Sequence, residues 1–143
     1  MRAITRRVYI LCPLSADTDE EINENLEKSR HYKEWFSGIC HIFNQYVEFI
    51  FYYHCGSVEL FKKSGKEYTE GALNVCDTVA VFSTDGKLSA DMIKSVEVAV
   101  KGRKLIFANN LDVGREVESV AERMKTPIDL HYVFDVDYIR NLI

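Results

Sequence analysis

The feature that most constrains the fold is a regular alternation between short apolar runs and longer amphipathic segments. The short runs are rich in β-branched or aromatic residues, which is typical of buried strands. In the longer segments, apolar residues recur at intervals of three or four, which is typical of a helix with one buried face. The predicted strands cover residues 7–12, 46–53, 78–82, 104–108 and 130–134, and the predicted helices cover residues 17–36, 67–75, 89–100 and 114–124.

This order of elements predicts an α/β fold with one mostly parallel sheet of four to five strands and helices on both faces. The strand at 130–134 is expected at an edge. At 143 residues the chain has the length of one domain, so we predict a single domain over residues 1–143. Right-handed crossovers bring the loops after parallel strands to one edge, where ligands bind. The loops at that edge cover residues 12–17, 53–56, 83–89 and 108–114.

Capping residues and glycines set the expected helix boundaries. Asp17 or Thr18 can cap the first helix, which has an acidic first turn, and Gly38 can end it. Residues 56–65, which begin and end with glycine, are expected to form a loop before the second helix. Ser89 is a suitable cap for the third helix.

Charge and composition exclude several classes of function. The formal net charge is −4 and no basic stripe is present, so a nucleic-acid partner is not expected. No apolar stretch approaches the roughly 18 residues of a membrane span, so we predict no membrane partner and a cytoplasmic location. The cysteines lack CxxC spacing and are expected to be reduced thiols. They are Cys12, Cys40, Cys55 and Cys76.

Two Cys–His pairs, Cys40–His41 and His54–Cys55, are the candidate metal ligands. Neighbouring residues of a strand point to opposite faces, so His54 and Cys55 cannot easily face one ion. We therefore predict no metal site, and nothing in the sequence calls for a cofactor.

Two segments resemble a known superfamily. The first is VYILCPLSAD over residues 8–17, and the second comprises CDTVAVF over residues 76–82, SADM over residues 89–92 and GRKLI over residues 102–106. In this order and spacing they resemble the nucleoside 2-deoxyribosyltransferase-like superfamily, and most of all its small phage and bacterial branch. The resemblance implies a flavodoxin-like or Rossmann-like domain, a homodimer or larger homo-oligomer, and a pocket for a nucleoside or nucleotide.

The resemblance also implies where catalysis would occur. Active members transfer or hydrolyse the bond between deoxyribose and base with a glutamate nucleophile, four residues before an alanine that corresponds to Ala99. That position here is Ser95. A hydroxyl lacks the negative charge that stabilises a cationic sugar. Glu97 follows two residues later, which turns it by about 200° to the opposite face of the helix.

The positions implied for phosphate binding differ as well. An arginine and a glycine that often follow the first proline in this branch correspond to Ser15 and Ala16, and a glycine at the start of the third helix corresponds to Asp91. A helix N-terminus attracts anions, but an aspartate there repels phosphate. A phosphate of the ligand would therefore be absent, differently placed or held by other groups.

We expect the ligand to contact residues of these loops and of the third helix. Asp17 could instead cap a helix, Asp85 could form a turn with Gly86, and Tyr53 could belong to the core. The predicted ligand-binding residues are Cys12, Pro13, Leu14, Ser15, Asp17, Tyr53, Asp85, Ser89, Met92 and Ser95.

The leading hypothesis is a protein that binds a nucleotide or nucleoside derivative, with catalysis weak or lost, and that sequesters or senses a nucleotide signal. The alternative is an active N-glycosidase or 2-deoxyribosyltransferase in which Glu97 or Asp91 supplies the carboxylate. A third reading is an interaction protein whose pocket is filled by side chains. The segment 135–143 either packs on its own sheet or completes the pocket of a neighbouring subunit.

Overall fold

Strands and helices alternate along the whole of the computed structural model, which describes residues 4–143. The strands are β1 (Ile4–Leu11), β2 (Val47–Tyr52), β3 (Thr78–Val81), β4 (Leu105–Ala108) and β5 (Asp129–Tyr132). The helices are α1 (Asp19–Phe43), α2 (Val58–Val75), α3 (Ala90–Lys101), α4 (Leu111–Met124) and α5 (Val136–Arg140).

The five strands form one parallel sheet in the order β2-β1-β3-β4-β5. This is the strand order of flavodoxin-like folds, and the reversal of strand order, where ligands bind in such folds, lies between β1 and β3. Leu11 pairs with Val81 at the carboxyl ends of those two strands. The predicted α/β fold is confirmed, including the edge position of β5.

The sheet has a separate apolar core on each face. Phe36 of α1 and Ile139 of α5 belong to one core. Met92 of α3 and Val117 of α4 belong to the other, together with Leu73 of α2. Helices therefore cover both faces, as predicted, with α2, α3 and α4 on the face opposite α1.

The predicted start of the first helix is confirmed, whereas its predicted end at Gly38 was wrong. Thr18 is the cap, because its hydroxyl oxygen accepts a bond from the Glu21 amide at 3.2 Å, and Asp17 is exposed before it. Gly38 lies within α1, where an added Cβ would meet nothing within 4 Å. A helical glycine costs about 1 kcal/mol, and the burial of Phe36 and Cys40 on either side outweighs that cost.

The predicted loop over residues 56–65 was also wrong for most of its length. Ser57 caps α2 by accepting a bond from the Leu60 amide at 3.1 Å, and the helix begins at Val58. Gly65 lies in its interior. An added Cβ there would come within 2.7 Å of the Phe61 ring, so glycine lets this ring lie flat along the helix.

The last residues of the chain pack on α1. The Asn44 side chain, which is buried, donates hydrogen bonds to the carbonyl oxygens of Ile139 at 2.9 Å and Leu142 at 2.8 Å. His131 of β5 and Tyr138 of α5 stack with ring centroids 3.4 Å apart. Residues 135–143 therefore pack on their own chain.

Within residues 4–143, no helix has both the length and the apolar character needed to cross a membrane. The same residues contain no group of three or more His, Cys, Asp or Glu side chains arranged to hold a metal ion. Of the candidate metal ligands, Cys40 and His54 are buried, whereas Cys55 is exposed.

Candidate functional site

A cavity of about 380 Å³ lies beside the carboxyl end of β1, on the face that carries α2 and α3. Tyr9 and Leu11 of β1 form part of its lining. The loop after β1 contributes Cys12, Leu14 and Ser15. The cavity therefore lies next to the β1–β3 reversal, where open parallel sheets bind ligands.

The start of α3 forms a second side of the cavity. Ser89 caps this helix, since its hydroxyl oxygen accepts a bond from the Met92 amide at 3.3 Å. Asp91 and Ser95 line the cavity together with Ser89 and Met92. The structure thus brings together the β1 loop and the α3 start, which are far apart in sequence and both predicted to contact a ligand.

Ser95 and Glu97 occupy different sides of α3. Ser95 is buried and lines the cavity. Glu97 is exposed and lies outside the lining, as the helical turn between the two positions predicts. The position that corresponds to the nucleophile in the resemblance therefore faces the cavity and carries a hydroxyl.

Four more of the predicted site residues lie outside the lining: Pro13, Asp17, Tyr53 and Asp85. Tyr53 packs with the core on the α1 face, where Lys33 Nζ is 5.4 Å from its ring centroid. Asp85 holds a turn. Its carboxylate accepts bonds from the Lys87 amide at 2.9 Å and the Ser83 hydroxyl at 2.7 Å, and these bonds lower the pKa of Asp85.

Helix α2 forms a wall of the cavity that was not predicted from the sequence, because the N-terminal part of this helix lies in the segment expected to be a loop. A four-residue spacing from position 61 to position 73 was the available signal, since it places these side chains on one helical face. The residues of this wall are Phe61, Gly65, Lys66, Thr69, Glu70 and Leu73.

Three polar groups form a hydrogen-bonded cluster at the base of this wall. Thr69 Oγ1 is 2.8 Å from His54 Nε2 and 3.2 Å from the Tyr9 hydroxyl oxygen, and the latter is 3.1 Å from His54 Nε2. Burial lowers the pKa of His54 to about 4 and raises the pKa of Tyr9 well above its usual value. Both side chains are therefore neutral at pH 7.

The charges around the cavity balance. Lys66 and Lys94 bring two positive charges, and Glu70 and Asp91 bring two negative charges. Burial raises the pKa of the Cys12 thiol to about 12, so this thiol is not ionised at neutral pH. The cavity contains hydroxyls, carboxylates and ammonium groups, but Cys12 gives it no thiolate nucleophile.

Comparisons of this chain with protein-family models, with curated proteins and with solved structures find no match.

Proposed function

We propose that this protein binds a nucleoside or nucleotide derivative in the cavity beside β1, and that cleavage of a glycosidic bond is weak or lost. The observation that carries the proposal is the common cavity of the β1 loop and the α3 start. Cys12, Leu14 and Ser15 face the same space as Ser89 and Ser95. These are the two segments on which the sequence resemblance rests.

The chemistry of the lining supports a ligand of this class. Leu11, Leu73 and Met92 offer apolar surface for a planar ring, while the hydroxyls of Ser15 and Thr69 can bond to polar groups. The balanced charges suit a nucleoside or a monophosphate better than a polyphosphate, which requires a surplus of positive charge.

Loss of catalysis follows from Ser95. A glycosidic transition state carries positive charge on the sugar, and a neutral hydroxyl stabilises it far less than a carboxylate does. Without a carboxylate at this position, a bound nucleoside stays intact. Such a protein can sequester or sense its ligand.

Blocking the cavity is expected to abolish binding. We expect isothermal titration calorimetry to detect wild-type binding of at least one member of a panel of nucleosides, nucleoside monophosphates, cyclic dinucleotides and ADP-ribose derivatives. Ser15 is exposed and lines the cavity, so the indole of Ser15→Trp can fill the space without disturbing the core. Its affinity should fall at least tenfold, which is about 1.4 kcal/mol.

Ser119→Trp is the matched control, because Ser119 is exposed on α4 and lies outside the cavity lining. It should bind as the wild type does. Absence of heat with every compound, or equal affinities for the two variants, would overturn the proposal.

One observation favours the alternative of an active N-glycosidase or 2-deoxyribosyltransferase: Asp91 places a carboxylate on the cavity lining. In that case, chromatography of deoxynucleosides and their monophosphates after incubation should show released base. Asp91→Asn should lower the release at least 100-fold, while Asp137→Asn on the exposed side of α5 should not. If the wild type releases no base, the alternative is excluded. If base release is lost in Glu97→Gln and not in Asp91→Asn, the role of Asp91 is excluded.

A cytoplasmic location and a homo-oligomeric state belong to the same proposal. All four cysteines are free, and three of them, Cys12, Cys40 and Cys76, are almost fully buried, which suits a reducing compartment. The homodimer or larger assembly is implied by the sequence resemblance, and light scattering coupled to size-exclusion chromatography tests it.

A further inference from the structure

Thr69 is a partly exposed residue of the cavity lining whose hydroxyl has two side-chain partners. Its oxygen is within hydrogen-bond distance of both His54 Nε2 and the Tyr9 hydroxyl. Tyr9 is fully buried and His54 is 5% exposed, whereas Thr69 is partly exposed towards the cavity. Thr69 can therefore meet a ligand directly, whereas Tyr9 is fully buried at the edge of the cavity and His54 lies outside the lining.

The protons of this cluster can be assigned by counting donors and acceptors. Among the hydrogen bonds of residues 4–143, the Tyr9 hydroxyl is joined only to Thr69 and His54, so its proton stays within the cluster. A neutral imidazole has one acceptor nitrogen. With the imidazole proton on Nδ1, Thr69 donates to His54 Nε2 and Tyr9 donates to Thr69 Oγ1. Both hydroxyl protons are then paired before any ligand arrives.

The other tautomer leaves a proton unpaired. With the imidazole proton on Nε2, both His54 and Tyr9 donate to Thr69 Oγ1, and the Thr69 proton has no acceptor in the cluster. The Nδ1 tautomer is thus the state in which both hydroxyl protons find acceptors inside the cluster, and we take it as the state of His54. In this state Thr69 has no free proton and offers only an oxygen lone pair to the cavity.

We propose that Thr69 is a specificity-determining residue that accepts a hydrogen bond from an N–H or O–H group of the ligand, and that Tyr9 and His54 are the positioning residues that hold it as an acceptor. This inference rests on the proposed function, and the ring N–H of a nucleobase is a donor of the required kind. A ligand in which a methyl group replaces that hydrogen loses the bond.

The test uses uridine and inosine as probes, together with 3-methyluridine and 1-methylinosine, which lack the ring N–H. For wild-type protein, calorimetry should show about tenfold weaker binding of the methylated member of at least one pair. Thr69→Val keeps the shape of the side chain and removes the oxygen, so it should bind both members of that pair equally. Thr5→Val, at the opposite end of β1 from the cavity, is the matched control and should discriminate as the wild type does.

A second measurement is independent of any ligand. Long-range ¹H–¹⁵N spectra of the free protein, with the His54 signals assigned by their loss in His54→Gln, report which imidazole nitrogen carries the proton. Protonation at Nδ1 supports the inference. Protonation at Nε2 overturns it. Discrimination between the members of a probe pair that persists in both Thr69→Val and Tyr9→Phe also overturns it. In either case the proposed function stands if the probes bind. Absence of binding by any probe, alongside failure of the wider panel, overturns both.

Discussion

Replacing Phe36 with alanine is expected to lower the free energy of unfolding by about 3–5 kcal/mol. Phe36 is fully buried on the α1 face of the sheet. Its ring is 5.1 Å from that of Phe107, 5.9 Å from that of Phe51 and 6.4 Å from that of Phe82. Truncation leaves a cavity among three aromatic rings that are anchored in the sheet and its loops, so the surroundings can collapse only in part.

Urea denaturation followed by far-ultraviolet circular dichroism measures this loss. Phe134→Ala is the matched control, because Phe134 is 55% exposed and its ring stacks on that of Tyr132. It should cost no more than about 1 kcal/mol. A loss below 1 kcal/mol for Phe36→Ala would show that this core is not packed as described.

Acidification is expected to destabilise the protein through His54. Its pKa is about 4 in the folded protein, against 6.5 for an unperturbed histidine, because burial disfavours the charged form. Between these two values the unfolded chain binds one more proton than the folded chain. The free energy of unfolding therefore falls as the pH is lowered from 6.5 to 4, by roughly 3 kcal/mol from this residue alone, and this contribution does not change further below pH 4.

The comparison of wild type with His54→Gln isolates that contribution. Glutamine can still bond to Thr69 but does not titrate, so the variant should lose less stability than the wild type between pH 7 and pH 4.5. The same substitution at His31, which is exposed on α1, should leave the wild-type pH dependence in place. Equal pH dependence in wild type and His54→Gln would contradict a buried, neutral His54.

The alternation of apolar runs with helical segments was sufficient to predict the sheet, because buried parallel strands leave a pattern that depends only on local sequence. The two large errors both involved glycine. Gly38 and Gly65 have the sequence signature of a helix end or a loop, yet both lie inside helices. Tertiary packing decides the secondary structure at these two glycines, and the helix propensity of a single sequence carries no information about that packing.

The error at Gly65 carried over to the candidate site. Since residues 56–65 were expected to be a loop, the part of the α2 wall with Phe61 and Gly65 was missed. The β1 loop was found because it directly follows a recognisable strand. The start of α3 was found because it lies a few residues after another one. The cluster of Tyr9, His54 and Thr69 could not be predicted, since its members come from three elements whose relative positions only the folded chain defines.

The two hydrogen bonds of the Asn44 side chain have a consequence for any association between copies of this chain. They fix α5 on the α1 side, whereas the cavity opens on the opposite side of the sheet. Exchange of the α5 segment between subunits would require both hydrogen bonds of the Asn44 side chain to break and the segment to move around an edge of the sheet. Subunits would therefore associate without exchanging this segment.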